Sequence, residues 1–193
     1  MPSSTFNKLN STKKANFTDA CITEFGQNGY QGASISAIVK QLKMAKGSVY
    51  QYFTDKDDLY AYLVNQSLET KEELISRAHL NRSNLREWLF TYLVLEIKFA
   101  QRFSDMSRLL FDSHSPLRNQ IRKREVLAVS KRLSSFKDSI IGTPLPIATA
   151  MLYAIKNELI TSLQQLTIEE VVAKLDQYIG VLLNGMTKQS HEH

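Results

Sequence analysis

The chain has 193 residues, 43% of them hydrophobic and 22% charged, with a net charge of +5. That balance excludes a largely disordered or collagen-like chain, and the single cysteine, Cys21, excludes a disulfide scaffold. No apolar run reaches membrane-spanning length, and residues 1–10 are polar with no apolar core of a secretory signal, so a soluble, cytoplasmic protein with no membrane partner is expected.

The charge is uneven. Residues 1–68 carry seven basic and five acidic side chains, residues 69–140 fourteen and nine, and residues 141–193 three and five. The C-terminal third is therefore the part least suited to an anionic partner. Seven glycines and four prolines are too few for a β-sandwich of this length, and i, i+3, i+4 apolar spacing recurs throughout, so the fold class is all-α.

In chain order, a first helix is expected from about Thr12 to Gln27, with Ala15, Phe17, Ala20, Cys21, Ile22 and Phe25 as its stripe and Asn28-Gly29 as its stop. Ser34 is a good N-cap for a short helix from about Ile35 to Leu42. A turn at Lys43–Ala45 leads to a second short helix, about Lys46 to Phe53. Asp55 caps a long helix from Lys56 towards Arg77. Further helices are expected at about 85–103, 106–112 and 116–139, with Pro116 in a first turn. After a break at Gly142–Pro146 come a very apolar helix, about 147–165, and a last one, about 168–187.

Two short helices joined by a tight turn have the geometry of a helix-turn-helix, whose second helix enters the DNA major groove. Lys46-Gly47-Ser48 suits the start of such a helix. Lysine reaches a phosphate or a guanine edge, glycine permits close backbone approach, and serine donates or accepts.

From about Ala15 to Leu63 the sequence resembles the DNA-binding domain of the TetR family of bacterial transcriptional regulators. The resemblance rests on Phe25, Gly29-Tyr30, Ser34 and Ile38, followed by Lys46-Gly47-Ser48-Val49-Tyr50-Gln51-Tyr52-Phe53-Thr54-Asp55-Lys56-Asp57-Asp58-Leu59. It covers about a quarter of the chain. It implies that Ser34 caps the first helix of the motif and meets a phosphate, and that Lys46, Gly47, Ser48 and Gln51 reach bases or phosphates. It further implies that Tyr50 and Tyr52 place hydroxyls or rings on the DNA and that Lys56 meets a phosphate. Val49 and Phe53 would pack inward. The family usually has glycine where this chain has Lys43. A left-handed lysine there costs ~1 kcal/mol, unless the turn differs or a phosphate contact offsets it.

The resemblance also implies a helix-turn-helix domain over residues 1–55 and a helical effector-binding and dimerisation domain over 56–193. A homodimer would form through the helices at 147–165 and 168–187, and the long helix from Lys56 would link the domains. The function that follows is a regulator, a repressor released from a near-palindromic double-stranded operator by a small, largely apolar effector. The alternative is a TetR-like DNA-bound protein controlled by a protein partner. An enzyme is not expected, because no phosphate-cradling glycine loop, nucleophile elbow or Ser/His/Asp or Cys/His set is present.

For the effector the candidates are Trp88, Tyr92, Phe99, Phe103, Phe111 and Met151, with Glu96 or Glu158 as polar anchors of an otherwise apolar pocket. The bland reading of the aromatic stripe is plain core. Arg118, Arg122, Lys123 and Arg124 read as a solvated face. Cys21 reads as a small buried apolar residue. His79, His114, His191 and His193 show no ligand spacing, so no metal and no cofactor is expected.

Overall fold

The computed structural model describes residues 2–78, 80, 84–140, 142–162 and 167–186. Every regular element among them is helical: α1 (Ser4–Asn7), α2 (Ser11–Gly32), α3 (Ile35–Leu42), α4 (Lys46–Tyr52), α5 (Lys56–Arg77), α6 (Leu85–Arg102), α7 (Ser104–Phe111), α8 (Arg118–Leu133) with a 3₁₀ turn at Ser134–Phe136, α9 (Leu145–Ser162) and α10 (Ile168–Met186). They group into two compact units. Unit 1 is Met1–Glu72 with Ala100–Ile121, and unit 2 is Glu73–Phe99 with Arg122–His193. The ends expected at 163–165 and at Thr187, like His79, His191 and His193, lie outside the described residues.

Unit 1 is built on aromatic rings. Phe6, on the short α1 that periodicity does not reveal, lies 5.0–5.7 Å from the ring centroids of Phe17, Tyr52, Phe53 and Tyr62. Burying a ring of this size contributes roughly 1.5–3 kcal/mol. Backbone hydrogen bonding fixes the same contact. The Ser3 amide donates to the Tyr52 carbonyl at 2.9 Å and the Ser3 hydroxyl to the Gln51 carbonyl at 2.6 Å. Carbonyls at the end of α4 that its own helix leaves open are thereby satisfied.

Two glycines shape α2. At Gly29 the chain turns left-handed (φ 67°), which breaks the helix where Asn28-Gly29 is expected to stop it, and Tyr30–Gly32 continue as a separate turn. The Tyr30 amide beyond it donates to Asp112 Oδ2 at 2.6 Å. At Gly26 a Cβ would come within 2.5 Å of the Asp105 carbonyl oxygen, so α7 crosses α2 at a distance only glycine permits. The start of α5 is doubly tied. The Asp58 amide donates to Asp55 Oδ1 at 2.8 Å, and the Thr54 amide donates to Asp58 Oδ2 at 3.1 Å.

Unit 2 packs α6, α8, α9 and α10 around leucine, valine and aromatic side chains. On α10 the stripe Val171, Leu175, Ile179, Leu182 is wholly buried. Thr167 and Glu170 form a reciprocal capping box at its start. α9 begins at Leu145, inside the break expected at Gly142–Pro146 and two residues before the expected start of the helix. Pro146 sits in the first turn, where its missing N–H has no intrahelical partner to lose. Pro116 instead lies in the turn preceding α8, which starts at Arg118.

Candidate nucleic-acid interface

α3 and α4 have the bounds of a helix-turn-helix, and α3 spans the expected residues 35–42. Its inward anchor Ile38 is fully buried, as are Val49 and Phe53 beside α4. That fixes which side of α4 remains outside. Lys46, Gly47, Tyr50 and Gln51 are exposed and Ser48 is half-buried. A Cβ placed on Gly47 would meet nothing within 4 Å. No packing inside the protein requires glycine there, although glycine in a helix costs ~0.5–1 kcal/mol relative to alanine.

The surroundings are basic. From Phe25 to Thr54 the sequence has no acidic residue and three lysines, Lys40, Lys43 and Lys46. All three are exposed, and none has a carboxylate partner among the described residues. This acid-free run is a signal the motif-based reading passes over, and it concentrates positive potential on the turn and the start of α4.

Lys43 ends α3 in the left-handed conformation (φ 51°, ψ 43°) and is the one non-glycine with positive φ among the described residues. The lysine therefore adopts the conformation the motif's glycine would take, at ~1 kcal/mol. The Met44 amide donates to the Val39 carbonyl at 3.0 Å and the Lys43 amide to the Lys40 carbonyl at 3.3 Å, a Schellman-type closure. Leu42 and Met44, on either side, line an apolar groove of about 310 Å³ with Leu9, Phe17 and Tyr52.

Three expected contacts change character. Ser34 occupies the N-cap position of α3, but its hydroxyl makes no capping hydrogen bond; its amide donates to Glu24 Oε1 at 2.9 Å and its side chain is exposed. Tyr52 turns its ring into the Phe6–Phe17 cluster, 5.6 Å from each centroid, which follows from its placement two residues after the outward Tyr50. Lys56 donates to the Ala33 carbonyl at 2.7 Å and the Gln31 carbonyl at 3.5 Å, and its ammonium lies 4.9 Å from the Tyr30 ring centroid. These bonds tie the start of α5 to the end of α2, just before α3. Tyr30 is held from the other side, its hydroxyl donating to Asp57. That hydrogen bond, then burial, raises the Tyr30 pKa to about 12.

The comparisons with known proteins agree with this geometry. Residues 17–63 match the family model of bacterial regulatory proteins of the tetR family. That match covers the helix-turn-helix and the helices that flank it, about a quarter of the chain. Among curated relatives, the transcriptional regulator HbdR of Aromatoleum sp. (strain CIB) is 33% identical over 70 residues, 36% of this chain and 31% of HbdR. The biofilm operon negative regulator IcaR of Staphylococcus aureus (strain Newman) is 24% identical over 131 residues, 65% of this chain and 69% of IcaR. The match to HbdR thus spans less than a third of that protein. Among solved structures, a TetR family regulator from Chloroflexus aurantiacus J-10-FL superposes with a TM-score of 0.79 at 23% identity, covering 98% of this chain and 100% of that one. FadR from Bacillus subtilis, in complex with stearoyl-CoA, gives 0.72 at 21% identity, covering 89% and 98%. These two likenesses establish the TetR-type fold, an N-terminal helix-turn-helix and a larger helical C-terminal part. The named relatives are transcriptional regulators rather than enzymes.

The expected effector residues divide between the units. Trp88, Tyr92, Glu96 and Phe99 are buried in unit 2, and Met151 is half-buried against its core. Phe103 and Phe111 belong to unit 1, and both are half-buried. Trp88 stacks on Tyr92 with 5.1 Å between centroids and an interplanar angle of 3°, and it touches Phe136. Glu96 accepts from the Tyr92 hydroxyl at 2.6 Å. Burial, together with the Glu96 charge, pushes the Tyr92 pKa well up.

Glu158 is not an anchor. It is exposed and accepts only from Ser162. Two residues earlier, Lys156 is the buried charge of α9. Its ammonium lies 3.1 Å from Glu125 Oε2, with the Tyr153 hydroxyl 3.4 Å from the same oxygen. Thr149, on the same face and buried, has a hydroxyl without a hydrogen-bond partner among the described residues. The signal for Lys156 was its spacing between Leu152 and Leu159, and for Glu125 its spacing between Ile121 and Val129.

Arg118, Arg122, Lys123 and Arg124 are exposed. Cys21 is fully buried, which pushes its thiol pKa up. Among the described residues no three His, Cys, Asp or Glu gather to hold a metal, and no helix is long and apolar enough to cross a membrane.

Proposed function

We propose that this chain is a regulator of the TetR type that reads a near-palindromic operator as a homodimer and represses until a small effector binds in its C-terminal part. The observation that carries the reading is the two-sided α4. Val49 and Phe53 lock its inner side, while Lys46, Gly47, Tyr50 and Gln51 stand outside in an acid-free surround. Lysine, tyrosine and glutamine supply donors and acceptors for base edges and phosphates, and Gly47 lets a groove wall come close. Lys56 and Tyr52 act behind this surface by holding α3 and α4 in place.

Dimerisation through α9 and α10 is supported by Ile147 and Val181, large apolar side chains that are 53% and 60% exposed. A two-fold dimer sets two α4 helices into successive major grooves. Repression is supported by the likeness to IcaR, a negative regulator. An effector is supported by the fold shared with FadR bound to stearoyl-CoA. The stacked Trp88–Tyr92 pair offers an apolar wall, and the buried Glu96, Glu125 and Lys156 would meet a polar end, so the effector is amphipathic. Its leverage is the difference in its affinity for the DNA-competent and DNA-incompetent conformations.

The test selects duplexes from a random-sequence pool with the wild-type protein and compares the double variant Lys46→Ala/Tyr50→Ala on the winners. Both side chains are exposed, so the fold is retained. At roughly 1–3 kcal/mol per base contact, binding falls at least tenfold. Wild-type affinity in the variant would falsify the assignment of α4. Release of the selected duplex by molecules extracted from the purified protein tests the effector.

A further inference from the structure

The turn between α3 and α4 makes two residue choices that each run against the needs of the free protein. Lys43 holds a left-handed backbone that glycine adopts without strain, and Gly47, four residues on, holds a helical position where a side chain would meet nothing. The backbone at Lys43 is imposed by its neighbours: the Met44 and Lys43 amides close on Val39 and Lys40, and Leu42 and Met44 line the groove on either side. The lysine side chain gains nothing in return within the molecule. It is exposed, with no carboxylate or carbonyl partner among the described residues.

We propose that Lys43 is a DNA-backbone contact, a cation carried on the left-handed turn to bind a phosphate beside the groove that α4 enters. The inference rests on the DNA-binding reading and extends its interface from α4 onto the turn. Lysine and glycine then each stand where a polyanion wants them: charge where the turn projects, and bare backbone where the duplex comes closest. A phosphate contact is independent of base sequence and releases condensed counterions, so it shows in the salt dependence of binding to any duplex.

The experiment measures affinity for a short random-sequence duplex across a range of salt, with thermal melting alongside. Lys43→Gly removes strain and charge, Lys43→Asn removes charge but tolerates the left-handed backbone, and Lys43→Arg keeps both. Lys137→Gln, an exposed lysine of unit 2, controls for net charge alone. The expected result is that Lys43→Gly melts higher than wild type yet binds several-fold more weakly. The slope of log affinity against log salt becomes shallower by about 0.9 per subunit in the Gly and Asn variants and is unchanged in the Arg variant. The proposal is overturned if the Gly and Asn variants keep the wild-type slope, or if Lys137→Gln flattens it equally. A wild-type protein that fails to bind the duplex at low salt overturns the DNA-binding reading itself, before any variant is compared.

Discussion

Around α4 the interior of unit 1 is made of rings: Phe6, Phe17, Tyr52, Phe53 and Tyr62 close on one another, and the locally unfavourable residues, Lys43 and Gly47, lie on its surface. Unit 2 reverses the arrangement. Its costly groups lie inside, where the Glu125–Lys156 ion pair and the Tyr92–Glu96 hydrogen bond sit among leucines. The difference shows where each unit gives up stability. Unit 1 accepts small losses outside, on the exposed turn and the start of α4. Unit 2 accepts a large liability inside, because a buried ion pair is often no better than a hydrophobic replacement, while the loss of one partner strands a buried charge.

The sharpest way to break that contrast is Lys156→Met. It strands Glu125 in the interior and should cost about 3–5 kcal/mol in chemical denaturation. The double variant Lys156→Met/Glu125→Leu should recover most of the loss. A single variant as stable as wild type would mean that the pair is hydrated.

In unit 1 the corresponding change is Phe6→Ala, expected to cost about 3 kcal/mol, the lower end for a buried ring, since α1 is short and near the chain start. Amide exchange should then rise first at Ser3, whose bonds to the end of α4 depend on that docking.

Alkali gives a third, smaller effect. Tyr30 and Tyr60 both titrate at about 12 in the folded chain, Tyr30 through its bond to Asp57 and Tyr60 through burial, against about 10 when unfolded. An acid whose folded pKa is raised contributes stability that is complete below pH 10 and is lost as pH climbs to 12. Denaturation midpoints should fall across that window, and Tyr30→Phe should flatten the fall; a pH-independent midpoint there contradicts both shifts.

The smallest change is Gly47→Ala, which should stabilise the free protein by ~0.5–1 kcal/mol while weakening its grip on DNA. A gain in both would remove the reason for glycine at that position.

Much of this architecture is legible in the sequence because helices announce themselves by period. α3 and α5 span the expected residues, and the left-handed turn at Lys43 follows from aligning the motif. What is not legible is what depends on contact across the chain. A four-residue α1 has no period, and Phe6 is a lone ring in a polar stretch until Tyr52 and Phe53 arrive to receive it. The bonds from Lys56 to the carbonyls of Gln31 and Ala33 are likewise not legible, because only the folded chain brings those carbonyls there. Glu158 and Lys156 differ by two positions on one helix, which puts them on different faces. The leucines at 152 and 159 identify Lys156 as the inward one.

Cys21 gives the protein an internal clock. It is the only thiol in the chain, it has no exposed surface, and its pKa is raised, chiefly by burial, so a thiol reagent cannot reach a reactive thiolate while α2 stays packed. Labelling therefore counts openings of the helix-turn-helix core one molecule at a time. The same chain, labelled alone and with a duplex added, tests whether DNA slows that breathing.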